Sequence, residues 1–392
     1  MNQQCAIIGV GMTPFGKFLD KSVRMMAMDA AQAALADAGI QPKDVEQVYF
    51  SNAVAGLVTG QEMVRGQAAL RFLGLPGVPV VNVENACASG STAFNLAYNA
   101  VRAGQVQVAL VVGAERMSHE DKRVSFGALA KAVDLEEELP KHVGSGSGSI
   151  FMDIYAEKTR KYMEATGCTR EDLAQIVVKS RHAASLNPLA QFRTETTVEE
   201  VLASRVISDP LTLQMCSSIG DGAAAVVLCT ADYLKKLTAK KPVWVGASAI
   251  VAGTPDLSLA PSPIRATFKA YEMAGVDPRD IHVAEVHDAS APSEVMYYES
   301  LGFCAAGEGV GLLRSGATGL NGKISVNPSG GLLSKGHPIG ATGVSQLVEL
   351  AQQLRGESGP RQRHGAKIAL AENGGGQVGL DGAAAVSTIL QV

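Results

Sequence analysis

One helix–turn–strand phrase occurs twice in this chain of 392 residues, and the duplication restricts its fold more than any other feature. Residues 33–52 and 269–288 each read as a helix that ends at a glycine, a turn that holds Pro and Asp, and an apolar strand. The turn prolines, Pro42 and Pro278, and the glycine and aspartate beside them match at an offset of 236 residues. The chain is therefore predicted to contain two related halves.

A second repeat, the string DGAAAV, supports the duplication and indicates an insertion. It occurs at Asp221–Val226 and at Asp381–Val386, and each copy opens a strand of small apolar residues. Its offset is 160 residues, which is 76 fewer than the offset of 236 in the first repeat. The first half therefore carries about 76 additional residues. Two repeats in the same order argue against a chance recurrence of a common turn phrase.

The additional residues fall in a polar, helix-rich stretch from about Met117 to Ser204. The apolar strand Val108–Gly113 precedes it, and strand-and-turn character resumes at Ile207–Asp209. Within it, Arg170–Ala184 is predicted to be a helix with Thr169 as its N-cap. We therefore predict three units: residues 1–116 with 205–240 as the first half, 117–204 as an inserted loop domain, and 241–392 as the second half.

The predicted strands and the composition indicate a globular α/β protein. The strands Ala6–Val10, Val78–Val83, Val108–Gly113 and Ala223–Cys229 are near-continuous apolar runs, which are typical of sheets buried on both faces. Hydrophobic residues make up 46% of the chain and charged residues 18%. The net charge is −4 and no basic stripe occurs, so nucleic acid is not an expected partner. No apolar run reaches the roughly 18 residues of a membrane span, and no signal peptide is evident, so we expect a cytoplasmic location.

Cys87 is the first candidate for chemistry. It follows a strand that ends near Val83 and precedes a helix predicted to begin near Ser89. The unpaired N–H groups and the positive dipole end at a helix start favour a thiolate over a thiol. A nucleophile and an inert buried thiol are both compatible with this local pattern. The six cysteines form no CxxC pair, so a zinc ribbon within the chain is not expected.

The glycine-rich segment Asn327–Gly343 presents His337 between Gly336 and Pro338, just before a helix predicted to start near Gly343. A histidine on such a rigid segment can be held close to a thiol and accept its proton. The alternative is a turn histidine that only caps the helix.

Two further strand ends carry polar residues. His287 and Asp288 follow the strand of the second repeat, where the sites of α/β proteins usually lie, although a structural strand-end histidine would give the same pattern. The strand Lys367–Ala371 is predicted to run into a loop that opens with Glu372 and contains three glycines, Gly374–Gly376. Their N–H groups could face a developing oxyanion. A solvated loop acid is the alternative for Glu372.

Together these features resemble the thiolase superfamily over essentially the whole chain. The duplicated halves, the insertion in the first half, Cys87 at a helix start, the Gly-His-Pro segment with His337 and the glycine-rich segment near the C-terminus occur in the family's order. The resemblance implies a thiolase fold, in which duplicated α/β halves pack as a five-layer αβαβα core with an inserted loop domain. It also implies no metal, no tightly bound cofactor, and coenzyme A as a substrate.

The resemblance carries catalytic roles onto matching residues. Cys87 becomes the acylated nucleophile, and His337 becomes its activating base and a ligand of the thioester oxygen. The N–H groups of Cys87 and Gly374 resemble a second oxyanion hole. His287 stands where most thiolases have the Asn of an Asn-Glu-Ala-Phe motif. A His-Asp start is similar to the branch related to sterol-carrier-protein thiolases, and it gives His287 an oxyanion-hole role.

One position departs from the family pattern. Thiolases usually have Cys-x-Gly-Gly-Gly, but this chain has Glu372 at the cysteine position, and Ala289 stands where some sterol-carrier-type members keep a cysteine. Glu372 is our hypothesis for the missing acid–base group, provided that apolar neighbours raise its pKa towards neutrality. The alternative is a substrate that needs less help because a second carbonyl or an aromatic group activates it.

The resemblance implies an acyltransferase that cleaves or forms the Cα–Cβ bond of a 3-oxoacyl-CoA through an acyl-cysteine. The departures favour a bulky or aromatic substrate from a degradation pathway, such as benzoylsuccinyl-CoA. Two alternatives stay open: a retro-aldolase of the same fold that acts on a hydroxyacyl-CoA side chain, and a non-catalytic scaffold subunit. A homodimer or a dimer of dimers is implied, as is a small partner subunit with an OB-fold and a zinc ribbon.

Overall fold

The predicted repeat appears as two successive runs of the same secondary-structure elements. The computed structural model of the protein describes residues 3–137, 143–144, 147–237 and 241–392. Its strands are β1 (Cys5–Met12), β2 (Gln47–Ser51), β3 (Val80–Val83), β4 (Val108–Glu115), β5 (Val206–Ser208), β6 (Leu211–Thr212), β7 (Gly222–Thr230), β8 (Val243–Ala252), β9 (Val283–Glu285), β10 (Ser325–Val326), β11 (Ile368–Val378) and β12 (Asp381–Gln391). Its helices are α1 (Val23–Ala38), α2 (Ala55–Val58), α3 (Arg65–Leu70), α4 (Ser89–Arg102), α5 (Lys122–Leu129), α6 (Ile150–Thr166), α7 (Arg170–Ser185), α8 (Val198–Ala203), α9 (Ala231–Leu234), α10 (Ser262–Ala274), α11 (Ala291–Ser300), α12 (Gly309–Arg314) and α13 (Ile339–Arg355).

The main sheet has an internal symmetry. Its ten strands follow the order β10-β9-β11-β12-β8-β1-β7-β4-β2-β3, so each half of the chain contributes five neighbouring strands. In the first half, β2 is parallel to β3 and β4, and β7 is antiparallel to β4 and β1. In the second half, β9 is parallel to β10 and β11, and β12 is antiparallel to β11 and β8. The half-sheets meet where β1 pairs with β8, which confirms the predicted duplication.

Helices α4 and α13 form a central layer between the half-sheets. They pack against each other and contact strands of both halves, and every residue of α13 except Gln352 is buried. A helix that is apolar and buried around its whole circumference needs cover on all sides. Helix α1 packs on the outer face of the first half-sheet and α10 on that of the second. The resulting layers are those of the predicted αβαβα core.

The repeated phrase has the same local structure in both copies. Gly39 ends α1 with a φ of 70°, and Gly275 ends α10 with a φ of 66°, a left-handed conformation that favours glycine. In the turn that follows, the carboxylates of Asp44 and Asp280 each accept a 2.8 Å hydrogen bond from the backbone N–H three residues earlier. The glycine and the aspartate recur in both copies because they form the same helix end and the same turn.

The predicted insertion contains α5 to α8 and packs on the second half. Thr169 caps α7 through a reciprocal pair of hydrogen bonds with Asp172, as predicted. From the same helix, Lys179 donates to the carbonyl of Val326 in β10 at 3.0 Å. The unit boundaries at residues 117, 204 and 240 stay predictions, and residue 240 lies outside the described ranges. Within those ranges, no helix has the length and apolar character that crossing a membrane requires.

The Gly-His-Pro segment enters its helix earlier than predicted. Helix α13 begins at Ile339 rather than near Gly343. A Cβ at Gly340 would lie 2.8 Å from a carboxylate oxygen of Glu115. The glycines here therefore let a helix approach its neighbours closely and do not prolong a loop.

The three-glycine segment is also more regular than predicted. Strand β11 does not end at Ala371 but continues through the glycines to Val378, and it pairs with β12 along this stretch except at Gly376, whose φ is 65°. A Cβ at Gly375 would lie 2.2 Å from the carbonyl oxygen of Asn85. The predicted loop is wrong because these glycines admit a neighbouring backbone and leave the strand intact.

Candidate active site

Cys87 and His337 occupy equivalent places in the two halves. Cys87 lies in a single 3-10 turn between β3 and α4, two residues before the helix begins. His337 likewise lies two residues before α13. The first turns of α4 and α13 touch, since a Cβ at Gly343 would lie 2.4 Å from the backbone nitrogen of Ser91. The duplication thus places the candidate nucleophile and its candidate base side by side.

His337 is held with Nε2 free. Its Nδ1 lies 2.7 Å from the hydroxyl of Thr342, and that hydroxyl donates to the carbonyl of Pro338 at 3.0 Å. Because the hydroxyl has only one proton, it accepts a hydrogen bond from Nδ1. The ring proton therefore lies on Nδ1, and Nε2 carries the lone pair that a general base needs.

His287 is held in the opposite tautomer. The side-chain amide of Asn373 donates to Nδ1 of His287 at 2.8 Å, and the hydroxyl of Ser91 lies 2.8 Å from the amide oxygen and 2.9 Å from the carbonyl of Ala88. An amide nitrogen does not accept hydrogen bonds, so Nδ1 carries the lone pair and Nε2 carries the proton. Such an N–H is suited to stabilising a developing oxyanion.

The three groups converge on one point. The sulfur of Cys87 and a ring nitrogen of each histidine, His287 and His337, all lie within 4.8 Å of one another. The two rings stand nearly perpendicular, with their centroids 5.2 Å apart. Both histidines are buried, whereas the Cys87 residue is partly exposed. The site therefore combines a thiol, a proton acceptor and a proton donor.

The thiol of Cys87 is protonated at neutral pH. Burial raises its pKa to about 12, and the nearby carboxyl group of Glu115 adds to this effect. The backbone N–H groups of Cys87 and Gly376 oppose it but do not balance burial. The predicted preference for a thiolate is therefore wrong, because burial outweighs the helix start. The thiol must give up its proton as it attacks.

Both histidines are neutral at neutral pH. Burial lowers the pKa of His287 to about 4. Burial, followed by the neighbouring His287 and Lys335, lowers the pKa of His337 well below its ordinary value. A neutral imidazole at position 337 can accept the proton of Cys87, which an imidazolium cannot do.

Glu372 lies beside this cluster as a buried acid. One of its oxygens accepts a hydrogen bond from the backbone N–H of His287 at 3.1 Å. Burial raises its pKa to about 8, although that N–H and the hydroxyl of Tyr297 act in the opposite direction. Glu372 is therefore not a solvated loop acid. It is protonated at neutral pH and has a proton to give.

Two tyrosines complete this side of the site. The hydroxyl of Tyr297, from α11, and an oxygen of Glu372 would lie 3.8 and 3.9 Å from a Cβ placed on Gly374. Tyr155, from α6, has a pKa raised first by burial and then by the charges of Cys87 and Glu372. The insertion thus contributes a side chain to the site.

Sequence reasoning found the reacting groups and missed those that orient them. Thr342 follows His337 by five residues, and Asn373 directly follows Glu372, so short spacing was their only signal. The tyrosines gave none, because their approach depends on tertiary packing. The glycine N–H that acts on the Cys87 sulfur belongs to Gly376. A part for the N–H of Gly374 in the second oxyanion hole stays a prediction, as does the expected absence of a metal or tightly bound cofactor.

The chain matches two family models that together span most of its length. The model described as "Thiolase, N-terminal domain" matches residues 5–232, and the model described as "Thiolase C-terminal domain-like" matches residues 248–391. An acetyl-CoA acetyltransferase of Methanothermobacter thermautotrophicus is 40% identical over 95% of this chain and 97% of its own length. The benzoylsuccinyl-CoA thiolase subunit BbsB of Thauera aromatica is 38% identical over 91% and 90% of the two chains. Sterol carrier protein 2 of Oryctolagus cuniculus is 37% identical over 97% and 71%.

Two solved structures share the fold. An aldolase described as Ltp2-ChsH2(DUF35) aligns with a TM-score of 0.79 and 24% identity, covering 99% of this chain and 98% of that one. Human mitochondrial 3-ketoacyl-CoA thiolase in complex with CoA aligns with a TM-score of 0.71 and 18% identity over the same shares. At these identities the likeness concerns the fold alone.

Proposed function

The chain belongs to the thiolase family, and on that premise we propose that it cleaves or forms the Cα–Cβ bond of a 3-oxoacyl-CoA through an acyl-Cys87 intermediate. The family matches confirm the resemblance, the thiolase fold and an acyltransferase activity that uses coenzyme A. The observation that carries the proposed mechanism is the convergence of Cys87, His287 and His337 within 4.8 Å. The tautomers of the two histidines make His337 a proton acceptor and His287 a hydrogen-bond donor at this point.

In the cleavage direction, Cys87 attacks the 3-oxo carbon while Nε2 of His337 accepts the thiol proton. Negative charge develops on the 3-oxo oxygen, which the proposed N–H pair of Cys87 and Gly374 would stabilise. The Cα–Cβ bond then breaks. The acyl group stays on the sulfur, and the electron pair of the bond passes to the enolate of the departing thioester.

The departing enolate is stabilised and then protonated. Nε2–H of His287 faces the thioester oxygen, which carries the charge. Glu372 gives its proton to Cα and becomes a carboxylate. The thiol of free CoA next attacks the acyl-cysteine and passes its proton to Glu372. The Cys87 sulfur leaves as a thiolate and recovers its proton from His337, so every group returns to its starting state.

A bulky or aromatic 3-oxoacyl-CoA, such as benzoylsuccinyl-CoA, is the substrate that we propose. The replacement of the usual second cysteine by Glu372 supports it, as does the 38% identity to a benzoylsuccinyl-CoA thiolase subunit. Acetoacetyl-CoA is the comparison substrate, because another relative is an acetyl-CoA acetyltransferase at 40% identity. Thiolysis of both compounds is to be measured with wild type and Cys87→Ala.

We expect faster thiolysis of the aromatic compound and none by the variant. Faster thiolysis of acetoacetyl-CoA would contradict the substrate assignment alone. Cleavage of a hydroxyacyl-CoA by Cys87→Ala would favour a retro-aldolase, which needs no acyl-cysteine. An inactive wild type would favour a scaffold subunit.

A homodimer or dimer of dimers, together with a small OB-fold and zinc-ribbon subunit, completes the proposal. The partner is supported by two names, a thiolase subunit among the relatives and an aldolase with a DUF35 component among the structures. Light scattering on the purified chain measures its oligomeric state. An active homo-oligomer that needs no second polypeptide would contradict the partner proposal.

A further inference from the structure

A buried ion pair joins the two segments that carry the histidines. The ammonium of Lys335 lies 3.3 Å from a carboxylate oxygen of Glu285, and their side chains are 1% and 0% exposed. Glu285 ends β9, two residues before His287. Lys335 ends the turn Gly331–Lys335, two residues before His337. One interaction therefore spans both histidine-bearing segments.

Both partners of the ion pair are fixed by further contacts. Glu285 accepts hydrogen bonds from the backbone N–H and the hydroxyl of Ser329, at 3.0 and 2.7 Å. The carbonyl of Lys335 accepts from the backbone N–H of Gln191 in the insertion at 3.0 Å. Asp288, at the same strand end, accepts from the N–H of Leu332 at 2.7 Å. The Glu285 carboxylate and the backbone of Lys335 are therefore both held in place, and the ammonium lies against that carboxylate.

Fold stability is a weak explanation for such a pair. Removing two charges from water costs several kcal/mol per ion, and an apolar pair of similar volume is often as stable or more stable. A second ion pair, buried on its arginine side and partly exposed on its aspartate side, shows the contrast, since Arg355 and Asp37 join the far end of α13 to α1 at 2.7 Å. That pair lies about 24 Å along the helix from the site, at about 1.5 Å per residue. Only the pair of Lys335 and Glu285 lies next to the histidines, among the ion pairs of the described residues.

We propose that Lys335 is a positioning residue whose ammonium, fixed by Glu285, orients the His337 segment and keeps His337 in the neutral form that accepts the Cys87 proton. The groups that face His337 are His287 from the end of β9, Lys335 from its own segment and Cys87 from the turn before α4. Among them Lys335 contributes the ammonium that pairs with Glu285. Burial is the largest cause that disfavours the imidazolium form of His337, and the positive charge of Lys335 adds to it because a second cation beside the first is unfavourable.

The inference rests on the proposed function only in taking Cys87 and His337 as the reactive pair. Alkylation of Cys87 by iodoacetamide tests it without any acyl-CoA, so its outcome is independent of the substrate assignment. The rate is to be followed from about pH 4 to about pH 9 by peptide mass spectrometry, which separates Cys87 from the other cysteines. Wild type is compared with E285Q/K335M, in which glutamine keeps an acceptor for Ser329 and methionine keeps the volume of lysine.

We expect the acid limb of the alkylation profile to move upward by roughly one pH unit in E285Q/K335M, because Lys335, and not Glu285, is among the charges that act on the pKa of His337, so that loss of the cation lets His337 protonate more easily. The control R355Q/D37N removes a partly buried ion pair elsewhere and should leave the limb unchanged. An unmoved limb in folded E285Q/K335M would overturn the proposal, as would an equal movement in the control.

A second variant covers the case in which E285Q/K335M does not fold. E285Q/K335Q replaces the ion pair by two amides that can hydrogen-bond to each other, and the same upward movement is expected. If neither variant folds while R355Q/D37N does, the pair has a structural role and the proposal is wrong. Circular dichroism establishes folding in each case.

Discussion

Glu372→Gln is expected to stabilise the protein while it removes the proposed proton donor. In the folded protein the pKa of Glu372 lies at about 8, against an ordinary value of 4.5, because the carboxyl group is buried. The folded state therefore binds this proton more tightly than the unfolded state does. The contribution of Glu372 to stability is fully present below about pH 4.5 and is lost as the pH rises to about 8.

The magnitude follows from about 1.4 kcal/mol for each pH unit between the two pKa values. Wild type loses roughly 3 kcal/mol by neutral pH and roughly 5 kcal/mol above pH 8 through this one group. The glutamine variant has no such ionisation and keeps that stability. For a chain of 392 residues, 3 kcal/mol corresponds to roughly 4 °C in Tm.

Thermal unfolding of both proteins at about pH 5, 7 and 8 measures the difference. Its growth with pH is the diagnostic feature, since other buried acids contribute equally to both proteins. Glu349→Gln is the matched control, because Glu349 is also buried but pairs with Arg361 at 2.9 Å. That control should destabilise the protein, since it leaves a buried cation unpaired. A Tm difference for Glu372→Gln that does not grow with pH would refute the reasoning.

Three further predictions concern activity and packing. Glu372→Gln should lower the rate of thiolysis at least about 100-fold in a spectrophotometric assay, and unchanged turnover would contradict the acid role of Glu372. In wild type, the rate of thiolysis should decline above about pH 8 as Glu372 ionises, whereas the rate of the reverse condensation should rise. Thr342→Val removes the acceptor that fixes the base tautomer and should lower the acylation rate about tenfold or more with little loss of Tm, as measured by stopped-flow; an unaltered rate would contradict the tautomer assignment. Gly375→Ala should lower the free energy of unfolding in urea by roughly 2 kcal/mol or more, because the new Cβ would lie 2.2 Å from the carbonyl oxygen of Asn85. The control Gly127→Ala, in helix α5, has open space for its Cβ and should not destabilise the protein, so equal effects would show that close packing is not the cause.

The duplication could be predicted from the sequence because the residues that reveal it form local turns and helix ends. Glycine caps and proline turns have the same form wherever they occur, so Gly39 and Gly275 identified matching elements without any knowledge of packing. The end of the preceding strand places Cys87 before α4, and the Gly-His-Pro segment places His337 before α13, although that helix begins earlier than predicted. Once the two halves are equivalent, these positions are equivalent as well.

The glycine-rich segments misled the sequence reasoning because glycine has two uses. It permits unusual backbone angles, and it also permits close approach in regular structure. Gly340 and Gly375 serve the second use, which depends on neighbours far away in the chain. The protonation states are non-local for the same reason. The buried position of Glu372 and the protonated thiol of Cys87 follow from how the layers close around them.

The central claim is that Cys87 carries the acyl group. Intact-protein mass spectrometry after incubation with a panel of acyl-CoAs, with wild type and Cys87→Ala in parallel, tests it most directly. The account predicts an added mass equal to one acyl group on wild type, its absence in the variant, and its removal by free CoA. An adduct that persists in Cys87→Ala, or no adduct from any donor with or without a co-expressed partner, would contradict it.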